Sequence, residues 1–433
     1  MSHAARSIVF ATLAFATFAP LARGEDWPQW RGPNRDGEWR ETGIVEKFAG
    51  KELPAKWRVP VGSGYSGPTI AAGRVYVTDR IQTPTSIERV HCFDEQTGDK
   101  VWSYEYECPY GRIGYPAGPR ASVSIDGGKA YALGSTGRLH AFDAATGKLL
   151  WEKDCDKAFA IQMQNWGISA SPLIYENLLI LHIGGDGACI VALHKDTGEL
   201  VWKALNDRHQ YSAPIVVQQA GQPVVICWTG DSVAGLEPQT GKVLWRYPWK
   251  PRNMPIGVAT PVVEGDRVFF TSFYDGSLML RLLPDKTEVE KVWQIVGRDE
   301  MNTLALHSII ATPVFENGYV YGTDSYGELR CLDGKTGDRL WENLTAVPKA
   351  RWSTIHFVKN GDRYFLFNER GELLIGKLSP QGFEEISRTK VLEPTLDQLR
   401  QRGGVCWTHP SFANKHIFVR NDKELVCASL AQP

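Results

Sequence analysis

From residue 55 onward, hydrophobic and polar positions alternate with a period of two in short runs, and no stretch holds a helical period over 12 residues. Arg74-Val75-Tyr76-Val77-Thr78 and Leu139-His140-Ala141-Phe142-Asp143 are representative of these half-buried strands bounded by turn residues. The runs recur as a unit. An apolar strand entered through a small residue and Pro leads to a turn and a second hydrophobic strand. A third strand ends in Asp, a Thr-Gly turn follows, and a last strand carries Trp. The phrase Thr-Gly-x-x-x-Trp stands at Thr97-Gly98…Trp102, Thr146-Gly147…Trp151, Thr197-Gly198…Trp202, Thr240-Gly241…Trp245 and Thr336-Gly337…Trp341.

The Trp positions set the period. From Trp57 they run through Trp102, Trp151, Trp202, Trp245, Trp293 and Trp341, in steps of 43 to 51 residues, and one further step reaches Ile386, where the Trp is lost. Four short antiparallel strands per step describe one blade of a β-propeller. Seven units end in this way, and an eighth, Cys406 to Leu430, stops short of its last strand. The missing strand lies at the other end of the chain, as Lys56-Trp57-Arg58-Val59-Pro60. Pairing the two ends removes the open sheet edges. The expectation is an all-β, eight-bladed propeller of four-stranded antiparallel blades, its ring closed by the N-terminal strand. In the repeated phrase, Gly supplies positive φ for a tight turn, Thr bonds the nearby backbone, and Trp fills the space between blades.

Ala141-Phe142-Asp143-Ala144-Ala145-Thr146-Gly147-Lys148-Leu149-Leu150-Trp151 resembles in full the tryptophan-docking motif of the pyrroloquinoline-quinone (PQQ)-type propeller repeat family. The resemblance covers roughly residues 55 to 430. The opening Trp27-Pro28-Gln29-Trp30-Arg31-Gly32-Pro33-Asn34-Arg35-Asp36-Gly37 is similar to the start of many exported members, and both of its Trp are read as packing an N-terminal arm onto the ring. One branch, the quinoprotein dehydrogenases, implies PQQ, a Ca²⁺ held by Glu, Asn and Asp oxygens, an Asp base, an Arg beside the quinone, and a disulfide between adjacent cysteines. The chain has no Cys-Cys dipeptide and no Cys-x-x-Cys-His for a covalent haem. The other branch implies a non-catalytic envelope scaffold that assists outer-membrane barrel assembly, commonly lipid-anchored; no Cys follows the apolar leader here.

That leader sharpens the division of the chain. Arg6, an apolar run from Ile8 to Leu21, and Ala22-Arg23-Gly24 read as a cleaved signal peptide over 1–24, followed by the arm at 25–54 and the propeller at 55–433. The expectation is an exported protein, periplasmic or extracellular, without a membrane span, and monomeric. A net charge of −1 offers no basic surface for nucleic acid. The eight Cys contain no Cys-x-x-Cys pair, and Cys92, Cys331 and Cys427 share a repeat position that Ala141 fills elsewhere, so they read as core thiols. Cys108 and Cys155 follow consecutive repeats, and whether they pair is open in sequence.

Aligning the blades on the Pro that opens the innermost strand, with blades 2 and 7 aligned despite lacking it, isolates the residue three places before it: Tyr65, Arg120, Ser169, Tyr211, Val258, Ile310, Trp352 and Trp407. A purely structural position repeats one residue type. This one does not, and it is read as a ring of differing side chains at one mouth of the central channel. Connecting loops add Gln164, Asn165, Trp166, Arg252, His307, Arg351 and His409. Flat aromatics mixed with amide and guanidinium groups suit an envelope protein, a peptide or a glycan. No nucleophile elbow, zinc-protease helix or phosphate loop occurs. The reading is therefore a binding or interaction module with no cofactor; PQQ and calcium belong to the alternative, a quinoprotein oxidoreductase.

Overall fold

The computed structural model describes residues 24–433, so the leader read over 1–24 lies, but for Gly24, outside the described residues. Eight four-stranded antiparallel sheets follow one another around a ring. The first blade is built from Thr69–Ala71, Arg74–Ile81, Ile87–Asp94 and Lys100–Glu107, running outward from the channel. The eighth takes Ser411–Ala413, His416–Arg420 and Glu424–Ser429 from the C-terminus and its outer strand, Ala55–Pro60, from the N-terminus. Trp57 pairs opposite Cys427 in that closing seam. Closure through the N-terminal strand is as the alternation predicts.

The Trp-Gly phrase does more than turn the chain. Gly98, Gly147, Gly198, Gly241 and Gly337 all have φ between +71° and +79°. A Cβ at Gly98 would sit 2.9 Å from the Trp57 ring, and one at Gly147 2.6 Å from Trp102. Each Gly is thus the platform on which the preceding blade's indole rests. The indole N–H then donates across the same seam, Trp57 to Glu95 O at 2.9 Å, Trp102 to Ala144 O at 2.9 Å and Trp341 to Ser379 O at 2.8 Å. Blade 5 lacks a Thr-Gly turn, and there Trp245 donates to the Gln219 side chain instead, at 2.9 Å. Nearest-neighbour contacts of this kind let stability accumulate around a repeat ring.

The arm crosses the channel against the inner strands of several blades. Trp27 bridges Ile70 of blade 1, Pro28 O accepts from Ile125 N of blade 2, and Arg35 donates to Ser171 O and Pro172 O of blade 3. Asn360 of blade 7 donates to Trp39 O. Trp39, Ile44 and Phe48 enter the core between blades 7 and 8 beside Ile386, where the ladder has no Trp. All eight Cys are buried and free, so Cys108 and Cys155 do not pair. Among the described residues no helix is long and apolar enough to cross a membrane.

Candidate functional site

All eight of the non-repeating residues before the inner strands line one cavity in the central channel: Tyr65, Arg120, Ser169, Tyr211, Val258, Ile310, Trp352 and Trp407. The cavity encloses about 140 Å³. Trp166 and His409 join the lining, as the loops predict. Trp30, Tyr115 and His356 line it too, and sequence reasoning missed them. His409, Ser171, Ala213 and Thr260 each immediately precede an inner-strand Pro. Carrying the period of two one step inward from the chosen position would have found that lower tier.

Trp30 does not simply pack the arm. Its indole N–H reaches Thr260 Oγ1 at 2.8 Å and its ring lies 4.9 Å from the His409 imidazole, so the arm supplies part of the cavity lining. Trp27, buried in the core, keeps the packing role. The remaining candidates fall outside the lining. Gln164, Asn165, Arg252 and Arg351 stand on the connecting loops; Asn165 O accepts from Gly114 N, and Arg252 N donates to Asp275. Arg351 pairs with Glu300 at 2.6 Å and covers Trp352 from outside, 4.4 Å from its ring centre. His307 is a correction to the funnel reading: it is buried behind the cavity. Its Nδ1 bonds Phe273 O at 2.9 Å and its Nε2 accepts from Gly297 N at 3.1 Å, so both ring nitrogens serve the backbone.

The lining is aromatic and carries one fixed charge. Arg120 Nη1 donates to Gly118 O and Ser135 Oγ, and Nη2 to Gly114 O and Tyr115 O, so all four terminal N–H bonds are engaged. Its guanidinium lies 5.0 Å from the Tyr65 ring centre, and Ser135 links it onward to Tyr110 and the buried Glu88. At the base, His409 Nδ1 donates to Pro410 O and His356 Nε2 donates to Trp407 O at 2.9 Å. Burial, with Arg31 beneath, holds both imidazoles neutral: His356 is lowered to about 4 and His409 falls well below its ordinary value. His356 Nδ1 and His409 Nε2 therefore carry free lone pairs, and neither has a hydrogen-bond partner among the described residues. Trp352 Nε1–H is likewise unpartnered. Tyr115 and Trp352, which meet edge to face at 5.9 Å, both adopt left-handed backbone, φ +52° and +67°.

The donor set of the cavity does not suit calcium. Calcium takes six to eight oxygen ligands with carboxylates prominent, and no Asp or Glu lines the cavity. Among the described residues no group of three or more His, Cys, Asp or Glu is placed to hold a metal ion.

The family profile described as outer membrane protein assembly factor BamB matches residues 86–343. The chain belongs to that family of PQQ-like propellers. It is 25% identical to the BamB of Shewanella oneidensis over 230 residues, which is 51% of this chain and 56% of that protein. It is 28% identical to the quinohemoprotein alcohol dehydrogenase of Comamonas testosteroni over 196 residues, 43% of this chain and 26% of the enzyme. The matched region thus spans 56% of the first of these relatives and a far smaller share of the second. Among solved structures, BamB from Moraxella catarrhalis aligns over 87% of this chain and 99% of its own, with a TM-score of 0.59 at 17% identity. The Comamonas testosteroni enzyme aligns over 94% of this chain and 81% of its own, with a TM-score of 0.66 at 14% identity. At these identities the structural likeness speaks for the shared propeller fold alone.

Proposed function

We propose that this protein is an exported, non-catalytic envelope propeller that docks a partner polypeptide across the face bearing the cavity, acting as an assembly scaffold in the periplasm or at the cell exterior. The observation that carries this reading is the distribution of exposed apolar side chains. The three most exposed, Met301 (73%), Leu304 (60%) and Leu396 (53%), all stand on loops that feed inner strands at the cavity mouth. Apolar side chains gathered around one opening, beside charged Arg252 and Arg351, resemble the core and rim of a protein interface. The BamB relatives support the same reading. The dehydrogenase alternative has relatives too, but the carboxylate-free lining gives it no calcium site.

The test compares the wild-type chain with a Met301→Asp/Leu304→Asp variant in crosslinked pull-downs from envelope extract, with hydrogen exchange of 297–307 and 393–400 in the captured complex. Docking across this face requires that the variant lose capture and that both loops gain protection. Capture unchanged by the substitutions, or dye reduction by alcohols after loading with PQQ and Ca²⁺, would overturn the reading.

A further inference from the structure

The aromatic side chains that line the cavity have their polar ends engaged in its wall. Tyr65 Oη donates to Gln398 O at 3.1 Å, Trp407 Nε1 to Glu369 Oε2 at 3.2 Å and Trp30 Nε1 to Thr260 Oγ1 at 2.8 Å. Tyr211 Oη accepts from Trp166 N at 3.2 Å, and the four terminal N–H bonds of Arg120 are all given to the protein. What these side chains leave for an occupant is ring surface and, at Val258 and Ile310, aliphatic carbon. Tyr65, Tyr115, Trp166, Val258, Ile310 and Trp352 are each half-buried, so this apolar lining reaches solvent.

The space suits a single ring. Tyr115 has its ring centre 5.9 Å from Trp166, on the loop into blade 3, and 5.9 Å from Trp352, on the loop into blade 7, edge to face with both. Blades 3 and 7 face each other across the ring of eight, so one tyrosine already spans the channel between opposing indoles. Aromatic walls that accept one ring edge to face are suited to a second. The volume left, about 140 Å³, is close to the ~150 Å³ of an apolar cavity that takes up one benzene molecule.

The surroundings point to a ring carried on a chain. Met163, Met301, Leu304 and Leu396 are exposed on the loops into blades 3, 6 and 8. A free aromatic molecule in the cavity would leave that surface uncovered. On one flank Arg298 and Arg351 are paired with Asp299 and Glu300. The Arg252 guanidinium makes no ion pair among the described residues and only approaches Gly297 O, at 3.5 Å, at the root of the loop bearing Met301. Asp275 nearby is buried and takes the Arg252 backbone N–H. An unpaired cation beside apolar side chains matches a carboxylate on a partner.

We infer that the cavity takes the ring of one Phe or Tyr from the docked partner polypeptide, with an acidic residue of the same segment on Arg252. A ring buried centrally beneath a polar rim is the usual form of an interface anchor. The inference rests on the docking reading and names the partner's anchor.

Short peptides with one fluorophenylalanine flanked by Leu and Asp test it, titrated with the full chain and followed by fluorine NMR and calorimetry. The peptide should bind saturably at millimolar concentration or tighter. Ala in place of the aromatic residue should weaken it tenfold or more, and Lys in place of Asp a few-fold. Arg252→Gln should remove the preference for Asp over Lys. Overhauser contacts from the fluorinated ring to the Trp166 or Trp352 indole should appear in the wild-type complex. Ser169→Phe and Val258→Phe, which fill the cavity from half-buried positions, should abolish binding at unchanged melting temperature. No saturable binding, equal affinity for the Ala peptide, absence of the indole contacts, or binding unchanged in a folded filled variant would overturn the inference. So would p-cresol binding as tightly as the peptide, which assigns a free aromatic molecule, or self-association abolished by filling, which assigns a second copy. Partner capture lost in Met301→Asp/Leu304→Asp but kept in the filled variants defeats this inference alone. The reverse pattern defeats docking across the Met301 loop alone.

Discussion

Trp30 in the N-terminal arm donates its indole N–H to Thr260 Oγ1 at 2.8 Å, across 230 residues of sequence. That bond fastens the arm to blade 5, while Trp27 of the same arm bridges Ile70 in blade 1. One short segment thus ties opposite sides of the ring and lines the cavity.

Trp30→Ala should consequently lower stability by ~2–3 kcal/mol, somewhat less than a fully buried Trp truncation because the ring is only partly buried. Denaturant midpoints measure this. Thr260→Val, which removes the acceptor but keeps the shape, should cost about 1 kcal/mol.

Gly73 and Gly98 separate backbone strain from packing. Their φ values are close, +76° and +78°, but a Cβ at Gly73 meets open space while one at Gly98 lies 2.9 Å from the Trp57 ring. Gly73→Ala should cost ~1–2 kcal/mol from left-handed backbone alone. Gly98→Ala should cost a further ~1–3 kcal/mol from overpacking the closing seam. Equal losses in chemical denaturation would contradict the platform role.

Acid should unfold the protein through buried histidines. Burial lowers His140, His182 and His356 each to about 4. Their unfolded value is ~6.5, so the unfolded chain takes up protons first. The neutral folded form is therefore favoured above pH ~6.5, and that stability is lost as pH falls from there towards 4. Asp79 adds a loss at lower pH: burial alone would raise it, but the close His91 imidazole and the hydrogen bonds from Arg89 outweigh that and hold it well below the carboxylate range. Stability measured at pH 7 and pH 5 should differ by on the order of 1 kcal/mol per histidine, and His182→Phe should flatten the slope.

The eight cysteines should be silent. Burial pushes Cys92, Cys108, Cys155, Cys331, Cys406 and Cys427 up to about 12, and only thiolate reacts. A thiol reagent should titrate none in the native protein and all eight in denaturant. Reductant should leave the melting temperature unchanged.

How much was legible follows from the range of each interaction. Trp102 docks on Gly147 in the next blade, and Arg74–Ile81 pairs with Ile87–Asp94 a turn away. Such contacts repeat at a fixed separation, so periodicity displays them. The non-repeating residues from Tyr65 to Trp407 were also visible, because a register laid over eight blades exposes whatever departs from it. Trp30, Tyr115 and His356 were not. No repeat contains the arm, and Tyr115 comes from a connector whose length varies around the ring. His307 misled for the complementary reason: its loop feeds the mouth, but backbone groups of that loop (Gly297 N) and of a blade 5 turn (Phe273 O) captured both ring nitrogens.

By itself, the sequence determined the all-β class, the number of blades and the closure of the ring through Trp57, since alternation and the Trp-Gly ladder act between residues at one recurring spacing. Tertiary structure decided what the channel contains. Only ring closure brings Trp30, His356 and His409 together, and only burial in that closed space leaves two imidazoles neutral, each with a ring nitrogen that has no partner among the described residues. Desolvation depends on everything packed around a group, and no local pattern of residues encodes it.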